Sequence, residues 1–573
     1  MGVLLSKLQY TSAAGQVAQG QITKNWVPIK EEPVYTPRRI RLICVGAGFS
    51  GLTLAHKIKH EIKLGEVIDY VIYEKNHDVG GTWLQNRYPG VACDVPAHAY
   101  TFLFEPNPNW SQFYAPGSEI QEYIKNTVRK WNLDDRIEFN SCVVESRWDE
   151  AAGKWKVKIN QNGIIKEDEA EILVSASGCL AKPRVPNIQG MSDFKGKLSH
   201  TADWDDTYDW KNKRVAVIGN GASGIQTVTA MHSTSSKLVN YVRNPCWISP
   251  NFSGELTKDG NNFAFTEEEK RQFREDRKAF FEFRKRLENS VNGFCYAMLR
   301  DHPFNRETRV TSTKRMQNVI ENIPDPSIAA RMIPEFHPGC RRLTPGHGYL
   351  EAFTNPNTHM CWEPIERITE TGIKTTDGKE NTFDIIVCAT GFETTYIPQW
   401  TLVGRNNTTL TEKWKTEPEA FFAVHVDGLP NYFMIMGPNF VVAHGSLLAG
   451  ISFTCDYILK WARKIATEDI KSIDVKKDAL DDYNVWAQEY LKRTAWSDPC
   501  RSWYKNGKTS GQITAPYAGT TSHFKRCLEN MGGEHFNINY NSLNRFRFLG
   551  NGQVDVERNG MGDLAEYFVE GLW

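Results

Sequence analysis

Two short glycine-rich runs hold residue types and spacings suited to binding phosphate. The first is Val45-Gly46-Ala47-Gly48-Phe49-Ser50-Gly51, which follows the apolar run Ile40-Arg41-Leu42-Ile43-Cys44 and precedes an apolar helical stretch. In a strand–turn–helix unit, Gly46 permits the tight turn and Gly48 lets the backbone approach a pyrophosphate. Gly51 lets helix and strand pack closely. The anion then rests on the helix N-terminus, where free N–H groups and the dipole favour negative charge. Glu74 closes the next apolar strand, residues 70–73, where a ribose-binding carboxylate belongs.

The second run is Ile218-Gly219-Asn220-Gly221-Ala222-Ser223-Gly224, after a strand at residues 214–217. Here the following strand, residues 238–242, ends in Arg243 and not in an acid. A carboxylate would repel a 2′-phosphate, whereas a guanidinium pairs with it, so this site is expected to prefer NADPH to NADH. The alternative for Arg243 is an ordinary surface arginine. Two dinucleotide units in one chain suggest electron transfer between FAD and a nicotinamide. Flavin disulfide reductases share that plan but need a close redox cysteine pair, and this chain has no C-x-x-C.

The elements that must position these turns read as α/β: two Rossmann-like dinucleotide-binding domains, for FAD and NADP, with a helical insertion in the NADP domain. Short strands at residues 154–160 and 170–175 separate the turns, and the strand at 383–388 ends in Ala389-Thr390-Gly391. Residues 264–290 read as a helix, because Thr266 and Glu269 form a capping box and Phe273, Phe280 and Leu287 recur every seven residues. Residues 451–465 read as amphipathic. The expected division is an N-terminal arm at 1–37 and a first FAD-domain part at 38–177. The NADP domain follows at 178–250, is interrupted by the insertion at 251–334 and resumes at 335–383. The rest of the FAD domain is 384–573.

With 573 residues, one core is too few. Lys+Arg and Asp+Glu are both 68, so no overall field draws the chain to nucleic acid or an anionic membrane. No apolar run is long enough to span a bilayer. Met1-Gly2-Val3-Leu4-Leu5-Ser6 matches the pattern for N-terminal acylation of Gly2, with a plain tail as the alternative. The 12 cysteines run from Cys44 to Cys527, and the nearest two, Cys340 and Cys361, are 21 residues apart. That spacing argues against a disulfide framework, a redox dithiol or a zinc site, so no metal is expected. It suits a reduced, cytoplasmic setting.

Between the two turns lies Phe194-Lys195-Gly196-Lys197-Leu198-Ser199-His200-Thr201-Ala202-Asp203-Trp204-Asp205. It resembles the F-x-G-x-x-x-H-x-x-x-W-[P/D] fingerprint of type I Baeyer–Villiger monooxygenases. A second pattern of that family is matched by Gly80-Gly81-Thr82-Trp83 through Tyr88-Pro89-Gly90 to Asp94, and the likeness spans roughly residues 38–550. The related N- and S-oxidising flavin enzymes usually carry Tyr or Phe where Trp204 stands.

The resemblance implies FAD, NADPH and O₂, with a small-molecule ketone converted to an ester or lactone through a C4a-peroxyflavin. Flavin-dependent oxidation of soft N or S atoms is the alternative. A flavoprotein kept only as a binding scaffold is the reading from another class. In the family an arginine stands ahead of a G-Y pair. Here Gly339-Cys340-Arg341-Arg342 precedes Gly348-Tyr349, which implies Arg342 as the catalytic cation and Asp94 as the carboxylate that orients it.

By the same resemblance Thr82, Trp83, Val95 and Tyr100 line the flavin and Val143 touches the adenine ring. The turn residues Asn220, Gly221, Ser223, Gly224 and Gln226 hold the NADPH phosphates, with Arg243 and Arg341 at the 2′-phosphate. Trp503 reaches the nicotinamide nucleotide, and His200 and Trp204 couple the two domains. The chain departs from the usual pattern at Leu84-Gln85 and at Ala92, which leaves substrate preference open.

Overall fold

The computed structural model describes residues 24–257, 260–557 and 562–568. The acylation reading at Gly2 falls outside them. Two five-stranded parallel sheets organise the molecule. The first runs Tyr432–Met434, Ile172–Ser175, Ile40–Val45, Ile68–Tyr73 and Ile137–Glu138 in spatial order. Its central strands are mostly apolar and buried, as a parallel sheet covered on both faces requires, with half-buried Arg41 and Asp69 paired with each other near one end. Val45 pairs with Tyr73 on one side and Ser175 on the other, so the first glycine turn leaves the sheet at its carboxyl edge between diverging neighbours. That is where open α/β sheets bind ligands.

The second sheet is ordered Thr358–Cys361, Lys237–Tyr241, Arg214–Ile218, Ile385–Cys388 and Lys197–His200. Cys388 pairs with both Ile218 and His200. The second glycine turn, the Ala389-Thr390-Gly391 segment and the fingerprint histidine therefore emerge side by side. A mixed four-stranded sheet, in which Ser141–Asp149 and Lys154–Gln161 pair antiparallel, buries Trp155, Val157 and Ile159 against Ile43, Val71 and Leu173 of the first sheet. The alternating burial along Lys154–Gln161 is the period-2 pattern of a half-covered strand.

The insertion differs in two respects from the sequence reading. The single helix expected over 264–290 is two, Glu267–Glu275 and Arg277–Gly293, broken at Asp276. Asp276 leaves helical geometry and its carboxylate accepts from the Ala279 N–H at 2.9 Å, capping the second helix. The Thr266–Glu269 capping box forms in full. These two helices also lean on the first dinucleotide unit: Leu287 and Val291 share a cluster with Ala99, Phe113 and Tyr114. Buried His98 is ringed edge-on by Phe265, Phe273, Phe280 and Phe283 at 4.8–5.7 Å. The later helix, Pro303–Ile320, contributes Met316 and Ile320 to the core of the second unit.

The stretch read as amphipathic lies in the helix Leu447–Thr467, which is buried along most of its length between Phe49–His56 and Thr521–Asn530. Among the described residues no helix is long and apolar enough to cross a membrane. The cysteine reading needs a correction. Cys340 and Cys500 form a disulfide, with Cα atoms 6.2 Å apart, across 160 residues of sequence. Linear spacing could not show a pairing that depends on two distant loops meeting.

Candidate functional site

At the first turn Gly46 has φ +111°, and a Cβ there would meet the Ala176 carbonyl oxygen at 2.7 Å. A Cβ on Gly51 would collide with the Gly46 carbonyl. Gly48 packs against Gly81: a Cβ on Gly81, where φ is +53°, would lie 3.2 Å from the Gly48 Cα, so the two glycines let these backbones come close together. Glu74 is buried, and its carboxylate accepts from the N–H groups of Ala47 (2.7 Å) and Asn76 (2.9 Å), which fixes it beside the turn. The cradle fits the pyrophosphate and ribose of a dinucleotide.

The turn opens into a cavity of about 1010 Å³ that collects the other expected flavin residues: Thr82, Trp83, Asp94, Val95, Tyr100 and Val143. Trp83 Nε1 donates to the Tyr100 hydroxyl at 3.3 Å, which locks the two rings edge to face. Burial raises the Tyr100 phenol well above its usual range, so it stays neutral.

Arg342 faces the same cavity. Its Nη2 donates to both carboxylate oxygens of Asp94, at 2.8 and 2.6 Å. The Asp94 charge raises the guanidinium above its ordinary value and outweighs burial, which acts the other way. Trp503 and Tyr504, on the short turn Trp503–Lys505, also line the cavity.

The second turn has the same steric logic. Gly219 has φ +116° with the Ala389 carbonyl 2.5 Å from its missing Cβ, and Gly224 packs on the Gly219 carbonyl. Nothing lies within 4 Å of the position a Gly221 side chain would take, so its backbone faces open space. Ser223 lies against the Tyr88 phenol. Two of the expected phosphate residues have structural duties. The Asn220 amide donates to the Asn244 carbonyl at 2.8 Å. Gln226 accepts from the Tyr88 hydroxyl at 2.7 Å and donates to the Ala92 carbonyl at 3.0 Å, joining the helix Ala222–Met231 to the first unit. Of the nucleotide-binding expectations for the second turn and its arginines, only Gln226 lines the main cavity; Asn220, Arg243 and Arg341 lie outside it.

Arg341 donates to the Pro245 carbonyl at 2.8 Å, which sets it beside Arg243. Burial lowers the Arg243 guanidinium, and the positive charges of Arg501, Arg184 and Arg341 lower it further. Four guanidiniums therefore gather at the edge of the second unit, and none of them has a carboxylate partner among the described residues. Sequence reasoning found Arg243 and Arg341. Arg184 and Arg501 come from segments far from the glycine turn and carry no local signal.

The fingerprint is structural in its contacts. A Cβ on Gly196 would meet the Asp384 carbonyl at 2.6 Å and the Phe194 ring at 2.6 Å, so only glycine lets this strand lie along its neighbour. His200 is buried, its Nδ1 accepts from the Ala202 N–H at 3.0 Å, and burial lowers its pKa. Trp204 is buried in the same cluster as Tyr88, which belongs to the first unit's second motif. The sequence also missed the cavity's far wall, built from Phe252, Val291, Phe294, Met298 and Phe304 of the insertion. Among the described residues no cluster of three or more His, Cys, Asp or Glu is placed to hold a metal.

A family model described as flavin-binding monooxygenase-like matches residues 39–257. The FAD-binding monooxygenase tazF of Aspergillus terreus is 47% identical, covering 95% of this chain and 97% of its own. The Baeyer-Villiger monooxygenase of Pseudomonas aeruginosa is 33% identical, covering 85% of this chain and 89% of its own. The oxidized steroid monooxygenase bound to NADP superposes with a TM-score of 0.75 at 25% identity, over 88% of this chain and all of that one. Relatives this similar over nearly the whole length place the chain in the flavin-binding monooxygenase family, among its type I Baeyer–Villiger-like members.

Proposed function

We propose that the protein holds FAD on the turn at Gly46–Gly51 and NADPH on the turn at Gly219–Gly224, and inserts one oxygen of O₂ beside a ketone carbonyl to give an ester or lactone. The observation that carries this reading is the Arg342–Asp94 pair facing the cavity that also holds the flavin-site residues. Bound FAD supplies the transfer of reducing equivalents from NADPH to O₂ and the activation of oxygen. Arg342 supplies a permanent positive charge where negative charge develops on oxygen during addition to a carbonyl. Asp94 fixes the direction of that cation.

The apolar wall of Phe252, Phe294 and Phe304 excludes water and favours an apolar or aromatic ketone over a charged one. The four-arginine cluster receives the 2′-phosphate, which supports NADPH over NADH. Names of relatives and neighbours that mention FAD, NADP and Baeyer–Villiger activity agree with this assignment.

The test is incubation of purified protein with a cyclic ketone, NADPH and isotopically labelled O₂. A lactone carrying one labelled oxygen is the expected product. Failure to oxygenate cyclic, aryl or steroid-like ketones, with ready oxidation of a thioether or amine, would assign the protein to the N- or S-oxygenating class instead.

A further inference from the structure

Cys340 and Cys500 join two segments that both line the cavity, with Cα atoms 6.2 Å apart. Cys340 lies between Gly339 and Arg342, both of which line it, and Cys500 precedes Arg501, Trp503 and Tyr504. Both sulfurs are buried. Between them lies Lys505, whose side chain is wholly buried, with Nζ 3.7 Å from Cys340 Sγ and 3.9 Å from Cys500 Sγ. Its Nζ also donates to the Asp498 carbonyl. The Asp498 carboxylate is engaged elsewhere, by the His337 backbone N–H (2.8 Å) and Nδ1 (2.7 Å). Among the described residues Lys505 has no carboxylate partner within salt-bridge distance. A buried ammonium without a carboxylate is expensive to maintain, and here its near neighbours are two sulfurs.

We propose that Cys340 and Cys500 are a reversible redox latch, with Lys505 as its positioning cation and hydrogen peroxide as its oxidant, fastening the Trp503 loop to the Arg342 segment. In the reduced protein the ammonium stabilises a thiolate beside it. That thiolate attacks one oxygen of peroxide, the O–O bond breaks, hydroxide leaves with the other oxygen, and the sulfur becomes a sulfenic acid. The second thiolate then attacks this sulfur, expels its hydroxide and forms the S–S bond. Two thiols lose two electrons and two protons, and peroxide ends as two waters. Burial pushes Lys505 down to about 8, so at neutral pH it is still mostly the ammonium and lies within reach to protonate a leaving hydroxide.

The consequence follows from what the loop carries. Arg501 belongs to the arginine cluster, and Trp503 lines the cavity. With the latch closed, neither can swing away without moving the Arg342 segment. Release of the oxidised nucleotide slows, and lid opening often limits turnover in enzymes of this kind. This consequence rests on the proposed NADPH site, whereas formation of the bond does not.

The experiment compares wild-type holoenzyme with Cys500→Ser after dithiothreitol or after peroxide. Differential alkylation with mass spectrometry reads the cysteines, and NADP⁺ release and NADPH-driven flavin reduction are followed separately. In the wild type, peroxide should protect Cys340 and Cys500 together from alkylation and slow NADP⁺ release about 3- to 10-fold, reversibly. Cys500→Ser should release at the reduced wild-type rate under both treatments. If the variant does not fold, alkylation and release in the wild type still decide. The proposal is overturned if both cysteines stay alkylatable after peroxide, or if the disulfide forms and release is unchanged. Loss of NADPH-driven flavin reduction in fully reduced protein would instead remove the nucleotide assignment.

Discussion

Both carboxylate oxygens of Asp94 rest on a single nitrogen of Arg342, at 2.8 and 2.6 Å. A side-by-side fork would have used two guanidinium nitrogens. Only Nη2 is engaged; among the described residues Nε and Nη1 have no hydrogen-bond partner, and the residue lines the cavity. The carboxylate thus orients the cation and leaves its other donors unengaged.

Arg342→Ala should therefore lower the rate of oxygen transfer by about 10²–10³-fold, the range for removing a donor aimed at developing charge. Bound flavin and its reduction by NADPH should persist, which rapid-mixing absorbance measures. Asp94→Asn keeps the shape but removes the charge that favours the guanidinium, and should cost less. Equal ester yield from Arg342→Ala and wild type would end the proposed role.

The glycine turns were legible because steric demands are local: Gly46, Gly51, Gly219 and Gly224 each face a carbonyl within their own unit or its neighbouring strand. Arg342 and Asp94 were legible only through family resemblance, since their 248-residue separation gives no pattern in one sequence. Arg184, Arg501 and the phenylalanines of the cavity wall were not legible at all. Their roles depend on how separate segments dock, and an arginine or phenylalanine reads alike on a surface and in a site. The same holds for Cys340 and Cys500.

The arginine cluster predicts nucleotide preference. Arg243→Ala and Arg501→Ala should each raise KM for NADPH about 10-fold or more, because a charge-assisted contact to phosphate is worth about 1.5–3 kcal/mol. KM for NADH should scarcely move, since NADH has no 2′-phosphate. Parallel losses for both nucleotides would mean the residues only hold the fold, and steady-state kinetics with each donor separates the cases.

His98 predicts acid lability. Burial among four phenylalanines, helped by the Arg284 charge, pushes its imidazole from 6.5 down to about 3. In the unfolded chain His98 binds a proton from about pH 6.5 downward, while in the folded chain it does not until about pH 3. Its contribution is thus fully present above pH 6.5 and is lost as pH falls toward 3, amounting to about 5 kcal/mol. His425, also pushed down to about 3 by burial, adds to the same slope. Thermal midpoints measured from pH 7 to pH 4 should fall steeply in the wild type and less steeply in His98→Phe. Identical slopes would show that His98 does not control the transition.

The hydrogen bond from Tyr88 to Gln226 joins the first unit to the helix that starts at the second glycine turn. Tyr88 is buried and Gln226 half-buried, and Gln226 answers by donating to the Ala92 carbonyl. Gly90 brings the chain close enough for this contact: its φ is +83°, and a Cβ there would meet the Gln226 carbonyl at 2.7 Å. Tyr88→Phe removes the donor and leaves a half-buried amide oxygen without its partner, at about 0.5–1.5 kcal/mol. If the contact sets the distance between the two nucleotide turns, the variant should lower the thermal midpoint and also slow flavin reduction by NADPH at saturation. Flavin content should stay normal, because the first turn is untouched. A lower midpoint with an unchanged reduction rate would show that the bond stabilises the protein without positioning the nicotinamide donor.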